Sequence, residues 1–400
     1  MNISKRVNNI KVSPVRKLIP YQEEAVKNGK KVYHFNIGQP DLPTPPEFFE
    51  FIANSGETTL KYAHSKGNLG LRQAMSRFYK DNFNLDFNEE EILITCGGSE
   101  ALLFVLSTIF DVGDEILVSE PYYANYNSFF EMLEIKVNAF QAKAEEGFHL
   151  PPKEEILGKI TPNTKAILLT NPGNPTGTVY TEEELKIIGD IAKEHNLFVI
   201  SDEVYRLLSY DNKIATSMGA FPEYAENTVI IESISKTYSA CGARIGAIVS
   251  KNKEFMSAVY KLCQARLSVS TLDMIGAEGL YNTLRKEYFD KNRAIYESRR
   301  DVIFEGLQKI EGVKVTKPEG AFYVMVTLPV DDSEKFAIWL LSSFDCDGET
   351  VMLTPAQGFY KTPNAGKQQV RITYCLEEEK IKKALNILEK GLIEYNKINK

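Results

Sequence analysis

Between residues 91 and 250 short apolar runs alternate with helix-length segments, and this pattern constrains the fold more than any other feature of the chain. The runs "EILIT" (91–95), "EILVSEP" (115–121), "IKVNAF" (135–140) and "KAILLT" (165–170) read as strands, as do "LFVISDEVY" (197–205), "TVIIESIS" (228–235) and "GAIVS" (246–250). Between them lie helical stretches such as "SEALLFVLSTIF" (99–110) and "TEEELKIIGDIAKEH" (181–195). The second opens with Thr181 and carries Glu184 three residues on, a capping-box pattern, and Leu185, Ile188 and Ile191 recur at helical spacing. Several of the strands are almost wholly apolar, as strands buried on both faces must be. The expectation is an α/β fold: a mainly parallel sheet covered by helices on both faces.

After about residue 290 the character changes. A charged helical stretch leads to "VKVTKPEGAFYVMVTL" (313–328), a further helix, "QQVRITYCL" (368–376) and a terminal amphipathic helix. More polar faces on these elements suggest a smaller α+β domain. The division read from the sequence is an N-terminal arm joining the small domain over 1–45, a large domain over 46–290 and a small C-terminal domain over 291–400. No repeat or low-complexity tract interrupts it.

Bulk properties narrow the partners. A net charge of −7 and a pI near 5.5 argue against nucleic acid or an anionic membrane surface. No apolar run approaches the roughly 18–20 residues of a membrane span. The start, "MNISKRVNNIKVSPVRK", lacks the apolar stretch of a secretory signal; it is basic and free of acids, and is read as an N-terminal arm in preference to a transit peptide. The cysteines Cys96, Cys241, Cys263, Cys346 and Cys375 are scattered, with no CxxC pair, which fits reduced thiols in a cytoplasm. Four isolated histidines offer no metal-ligand spacing, so no metal site is expected.

In α/β sheets ligands bind beyond the carboxyl ends of the strands, and here four strands run into polar clusters at that end. "EILIT" meets "CGGSE", "KAILLT" meets "NPGNPTG" (171–177), "LFVISDEVY" carries Ser201, Asp202, Glu203 and Tyr205, and "TVIIESIS" meets Lys236. Taken singly, each has a bland explanation: an N-cap, a rigid turn, a strand-to-helix turn, a solvated lysine. Together they suit amine chemistry on an aldehyde cofactor. Lys236 would form the Schiff base and act afterwards as a base. Asp202 would keep a pyridine nitrogen protonated. Gly98, Ser99, Ser233, Ser235 and Arg244 would hold a phosphate, with Gly242 and Gly246 letting the backbone approach closely around that arginine. Tyr205 and Asn174 would bond a ring oxygen, and Tyr123 of "EPYYANY" is the best aromatic for stacking on the ring.

These residues lie within a longer ordered series: "NIGQPD" (36–41), "KYAHSKGNLGLRQA" (61–74), "CGGSEAL", "DEILVSEPYY", "NPGNPTG", "SDEVY", "SISKTYSACGARIG", "EGAFY" (319–323) and "VRI" (370–372). In that order they resemble the class I/II aminotransferases among fold-type I pyridoxal-phosphate enzymes, with the general pattern nearest the bacterial aspartate aminotransferase branch. The resemblance implies pyridoxal 5'-phosphate as cofactor, amino acid and 2-oxo acid as substrates, and a homodimer with shared sites. It assigns Lys236 to the Schiff base and the proton transfer, Asp202 to the ring nitrogen, and Arg371 to the substrate α-carboxylate, assisted by Asn174 and the backbone at Gly38. Tyr62 would reach the phosphate in the neighbouring subunit. One departure bears on the substrate: bacterial relatives that prefer dicarboxylates often carry a basic residue at the position of Ser99, and this chain has serine. Cys241 is read as a packing thiol. The expected reaction moves the amino group of an L-α-amino acid, whether aspartate or a neutral or aromatic one, to a 2-oxo acid such as 2-oxoglutarate. The same cofactor residues would serve a carbon–sulfur β-lyase. A regulatory module would need a DNA-binding domain before "NIGQPD", where the expected arm leaves no room. A nicotinamide dehydrogenase is disfavoured because no strand is followed by GxGxxG.

Overall fold

The structure, a computed structural model, describes residues 1–398. Seven of the expected runs form one sheet: β1 (Ile92–Thr95), β2 (Glu115–Glu120), β3 (Lys136–Gln141), β4 (Thr164–Thr170), β5 (Phe198–Asp202), β6 (Thr228–Ser233) and β7 (Gly246–Val249). Their order is β1-β7-β6-β5-β4-β2-β3. Only β7 runs against its neighbours; it pairs antiparallel with both β1 and β6. The carboxyl ends of the other strands therefore share one edge, and β7 begins there, with Gly246 opposite both Thr95 and Ser233.

The near-continuous apolar runs are explained by burial on both faces. Alternate side chains of a strand point to opposite sides. Ile116 and Val118 enter a core shared with Leu102, Val105 and Leu106 of the helix Gly97–Ile109. Leu117 enters another, shared with Leu185, Ile188 and Ile191 of the helix Glu182–Glu194. That helix carries the expected capping box: the Glu184 amide donates to Thr181 Oγ1 at 3.2 Å and the Thr181 amide donates to Glu184 Oε2 at 2.8 Å.

A second, antiparallel sheet orders Thr354–Pro355, Gln369–Thr373, Tyr323–Thr327 and Lys314–Val315. Residues from the start of the chain join this region. Lys31–His34 pairs in parallel with Glu349–Met352, and the Thr373 amide donates to the Phe35 carbonyl at 2.9 Å. This pairing carries Asn36–Gly38 to the edge of the large sheet. Two boundaries differ from the sequence reading. The helix expected from Ser99 begins at Gly97, and "TVIIESIS" leaves the sheet at Ser233 to form a short helix, Ile234–Thr237, that carries Lys236. In the first case two glycines carry no apolar periodicity to mark the helix start, and in the second Ile234 continues the apolar run past the last ladder bond, so periodicity alone does not mark the boundary.

Candidate active site

A cavity of about 660 Å³ opens at the shared strand edge. Its floor is made of strand ends. Asp202 closes β5, and Tyr126 Oη donates to its carboxylate in a short hydrogen bond while also lying 3.0 Å from Thr170 Oγ1 at the end of β4. Burial pushes the Asp202 carboxyl up to about 6, opposed in part by the Tyr126 hydroxyl and the Val204 amide. Lys236 Nζ donates to the Gly38 carbonyl at 2.8 Å and lies 3.9 Å from Cys241 Sγ. Burial lowers its ammonium below the ordinary lysine value. A lysine so placed is more readily neutral, and so nucleophilic, than one in water.

Beside Lys236, Ser233 Oγ and Ser235 Oγ sit 2.9 Å apart. Gly98 and Ser99, in the first turn of the helix Gly97–Ile109, line the same end with Arg244. The fit here is close. Gly97 has φ +73°, and a Cβ on it would lie 2.5 Å from the Arg244 guanidinium. A Cβ on Gly246 would lie 2.5 Å from the Gly97 carbonyl carbon and 2.8 Å from the Gly98 nitrogen. Free helix-start amides, two hydroxyls and a guanidinium together are the donor set that a phosphate needs.

The far wall comes from the second sheet and the N-terminal segment. Arg371 is buried; Nη1 donates to Asn174 Oδ1 at 3.2 Å and Nη2 to the Asn36 carbonyl at 2.8 Å. Its guanidinium lies over the rings of Tyr323, at 4.6 Å, and Phe359, at 5.3 Å. Tyr205 Oη meets Tyr323 Oη at 2.8 Å, and Asn174 Nδ2 donates to Tyr205 Oη at 3.5 Å. A Cβ on Gly38 would meet Tyr323 Oη at 2.2 Å, so this position has no space for a side chain.

Comparison with known proteins identifies the family. The family described as aminotransferase class I and II matches residues 30–388. The chain belongs to this family. An aspartate aminotransferase of Pyrococcus horikoshii is 30% identical over 395 residues, covering 98% of this chain and 97% of that protein. A (5-formylfuran-3-yl)methyl phosphate transaminase of Methanocaldococcus jannaschii is 33% identical over 392 residues, covering 98% and 99%. A double-mutant form of the Thermus thermophilus aspartate aminotransferase superposes with a TM-score of 0.90 at 29% identity, covering 98% of this chain and 100% of that structure. The fold is accordingly that of the fold-type I enzymes, and the chain is an aminotransferase.

Within this aminotransferase the cavity brings together Gly38, Gly98, Ser99, Tyr123, Asn174, Asp202, Tyr205, Ser233, Ser235, Lys236, Arg244 and Arg371. Tyr62 stands apart: it is 82% exposed and lies in a shallow surface groove with Leu60 and residues 268–272. Of the two glycines expected to let the backbone approach closely around Arg244, Gly246 lies against the backbone of Gly97, Gly98 and Glu232, and it is Gly97 that packs on the guanidinium itself. Gly242 is exposed, and a Cβ there would meet nothing within 4 Å. Tyr126, Tyr323 and Asn36 are among the cavity residues that have no role assigned by sequence. Tyr126 and Tyr323 end the stretches "EPYYANY" and "EGAFY", but no spacing rule separates an aromatic that packs from one that donates to Asp202.

Behind the floor, Arg206 joins two strand ends. It donates to Glu203 Oε2 and to Glu232 Oε2, each at 2.8 Å, in full burial, with its guanidinium 4.8 Å from the Tyr79 ring. Glu232 in turn accepts from the Ser233 amide at 2.9 Å. Burial pushes the Glu232 carboxyl up to about 7, against the attraction of Arg206. Removing one member would leave a buried charge unpaired.

Proposed function

We propose that this aminotransferase binds pyridoxal 5'-phosphate in the cavity and moves the amino group of an L-α-amino acid to a 2-oxo acid such as 2-oxoglutarate. The observation that carries this reading is the order of groups across one cavity: serines, glycines and Arg244 at one end, Asp202 and Lys236 between, and Arg371 at the other. The residues fit the cofactor. The donor set beside Gly97 suits its phosphate, and Asp202, a carboxylate raised by burial, is matched to the cation of a protonated ring nitrogen. Tyr205 and Asn174 would hold the ring oxygen, and Tyr123 would cover one ring face. When bound, the cofactor supplies an aldehyde for the amine and an electron sink for the α-carbon.

The chain's own residues do the rest. Arg371 binds the substrate α-carboxylate, held rigid by Asn36, Asn174 and the Tyr323 ring, and so orients the α-carbon. The Gly38 carbonyl and Asn174 flank it. Lys236 Nζ, kept less basic by burial, takes the α-proton and returns it. Tyr62, exposed on its own chain, is assigned to the phosphate of a second copy in a homodimer. The division into an arm (1–45), a large domain (46–290) and a small domain (291–400) belongs to the same proposal. The pairing of Lys31–His34 with Glu349–Met352 supports it, and the helix Lys286–Gln308 spans the boundary. No helix among the described residues is long and apolar enough to cross a membrane; a cytoplasmic enzyme is the proposed setting.

Borohydride reduction followed by peptide mapping tests the cofactor assignment, which expects the cofactor mass on the Lys236 peptide. Absence of that mass, with protein that stays colourless in pyridoxal phosphate, overturns it. A screen of amino donors against oxo acceptors tests the reaction. Ammonia and pyruvate released from a β-substituted donor without any acceptor would assign the carbon–sulfur lyase reaction instead.

A further inference from the structure

Tyr323 is buried and lines the cavity. Under the proposed function only its ring is used, as a support for the Arg371 guanidinium 4.6 Å from its centre. The two are neighbours by register. Tyr323 stands opposite Thr373 and Met325 opposite Arg371, so the tyrosine and the arginine share one face of the small sheet as diagonal neighbours. A phenylalanine would support the guanidinium as well, because the attraction is to the ring face. The hydroxyl is what needs a reason. A buried phenol takes a hydrogen-bond partner, and the short contact of Tyr323 Oη is with Tyr205 Oη, at 2.8 Å.

The neighbours of the pair decide which hydroxyl gives its proton. The other acceptor near Tyr323 Oη is the Gly38 carbonyl, a weak one at 3.5 Å that already receives Lys236 Nζ at 2.8 Å. At Tyr205, Asn174 Nδ2 approaches the hydroxyl at 3.5 Å as a second, weaker donor. The amide is fixed in that sense because its Oδ1 accepts from Arg371 Nη1 at 3.2 Å. With Tyr323 donating too, the lone pairs of Tyr205 Oη are occupied and its own proton is left for an acceptor in the cavity. The backbone holds this alignment. The segments that carry the two tyrosines meet in an antiparallel bridge between Ser209 and Gly320. There the Ala321 amide donates to the Leu208 carbonyl at 2.7 Å and the Tyr210 amide to the Glu319 carbonyl at 2.8 Å. The Ala321 carbonyl accepts from the hydroxyls of Tyr210 and Tyr374. Gly38 has no Cβ to push the Tyr323 hydroxyl aside; one would lie 2.2 Å from it. Tyr323 is thus anchored to the segment of Tyr205 as well as to the small sheet.

We propose that Tyr323 is a positioning residue of the reaction: its hydroxyl donates to Tyr205 Oη and so turns the Tyr205 proton toward the ring oxygen of the cofactor. This rests on the reading of the cavity as a pyridoxal-phosphate site. Tyr323 acts through Tyr205 alone. A donor aimed at the ring oxygen favours the form in which that oxygen is negative. It therefore lowers the pH at which the proton shared by the ring oxygen and the Schiff-base nitrogen leaves.

The test compares the native enzyme with Tyr323→Phe, Tyr205→Phe and the double variant, each loaded with pyridoxal phosphate. The first readout is the pH midpoint of the change in the visible absorption band, and the second is steady-state kinetics. Tyr323→Phe keeps the ring beside Arg371 and removes only the hydroxyl. Its midpoint should rise by about 0.5 to 1 pH unit, the worth of one hydrogen bond. Its kcat should fall about 3- to 10-fold, with KM for the amino donor changed less than about twofold. In the Tyr205→Phe background the same substitution should move the midpoint by less than about 0.3 unit, because a residue that acts through Tyr205 has nothing left to act on. An unchanged midpoint in Tyr323→Phe overturns the proposal, and so does a shift of equal size in both backgrounds. A raised KM with native kcat and midpoint overturns it too, leaving Tyr323 as a support for Arg371. Each of these results leaves the transaminase reading intact. A native protein that takes up no pyridoxal phosphate and shows no visible band overturns the cofactor reading itself.

Discussion

The two ends of the cavity are built in different ways. The cofactor end is local: Asp202, Ser233, Ser235 and Lys236 lie within or just after adjacent strands of one sheet, and Gly97–Ser99 open the helix after β1. The substrate end is assembled at long range. Arg371 contacts Asn36 and Asn174, hundreds of residues away in sequence, and its guanidinium rests on rings from two further segments. A sheet edge fixes strand ends through its ladder, so the first end is stiff. The second depends on how the N-terminal segment and the small sheet seat against the large one. Chemistry placed on the stiff end and selection on the assembled end is an arrangement in which substrate choice can change without disturbing the reaction.

Four measurements probe whether the two ends are separable in this way. Lys236→Ala should show the largest effect, a loss of kcat of about 10⁴-fold or more, because it removes both nucleophile and base. Retained transamination in that variant ends the assigned role. Arg371→Leu should lower kcat/KM by about 10²- to 10³-fold, mainly through KM, while the bound cofactor's absorption stays as in the native protein. A lost cofactor band would mean that the ends are coupled. Tyr126→Phe removes a donor to Asp202, so the carboxyl should rise above about 6. Steady-state assays should show about 10-fold lower activity near neutral pH, with the acid limb moved upward.

The smallest effect is on stability. Asp202 and Glu232 titrate in the folded cofactor-free protein at about 6 and about 7, above their ordinary 3.8 and 4.5. The folded state then holds protons that the unfolded chain releases, so their contribution is complete below about pH 4 and is lost as pH rises through 7. Urea midpoints of the cofactor-free protein should fall between pH 5 and pH 8. Bound pyridoxal phosphate should flatten the Asp202 share by supplying a cation. A midpoint that rises over this range would contradict the buried-carboxylate account of the floor.

Legibility in the sequence follows the same division. Alternating apolar runs reveal the large sheet because burial on both faces demands them, and polar residues at their ends reveal the floor of the site. Tyr126 escapes notice because "EPYYANY" holds several tyrosines, and a donor to Asp202 is distinguished only by where the helix Tyr126–Leu133 points it. Gly242 and Gly246 look alike in "CGARIG", yet only Gly246 starts the reversed strand and lies against Gly97.

The series of short strands, with Asp202, Lys236 and the glycine–serine turns in fixed order, is written in the chain itself, since local pattern and family resemblance both act along it. Which distant groups meet is settled only by the packing of the folded chain: Asn36 with Arg371, Arg206 with Glu232, and Tyr205 with Tyr323. Those contacts depend on how separate segments seat against one another, and their separations in sequence leave no local periodicity to read.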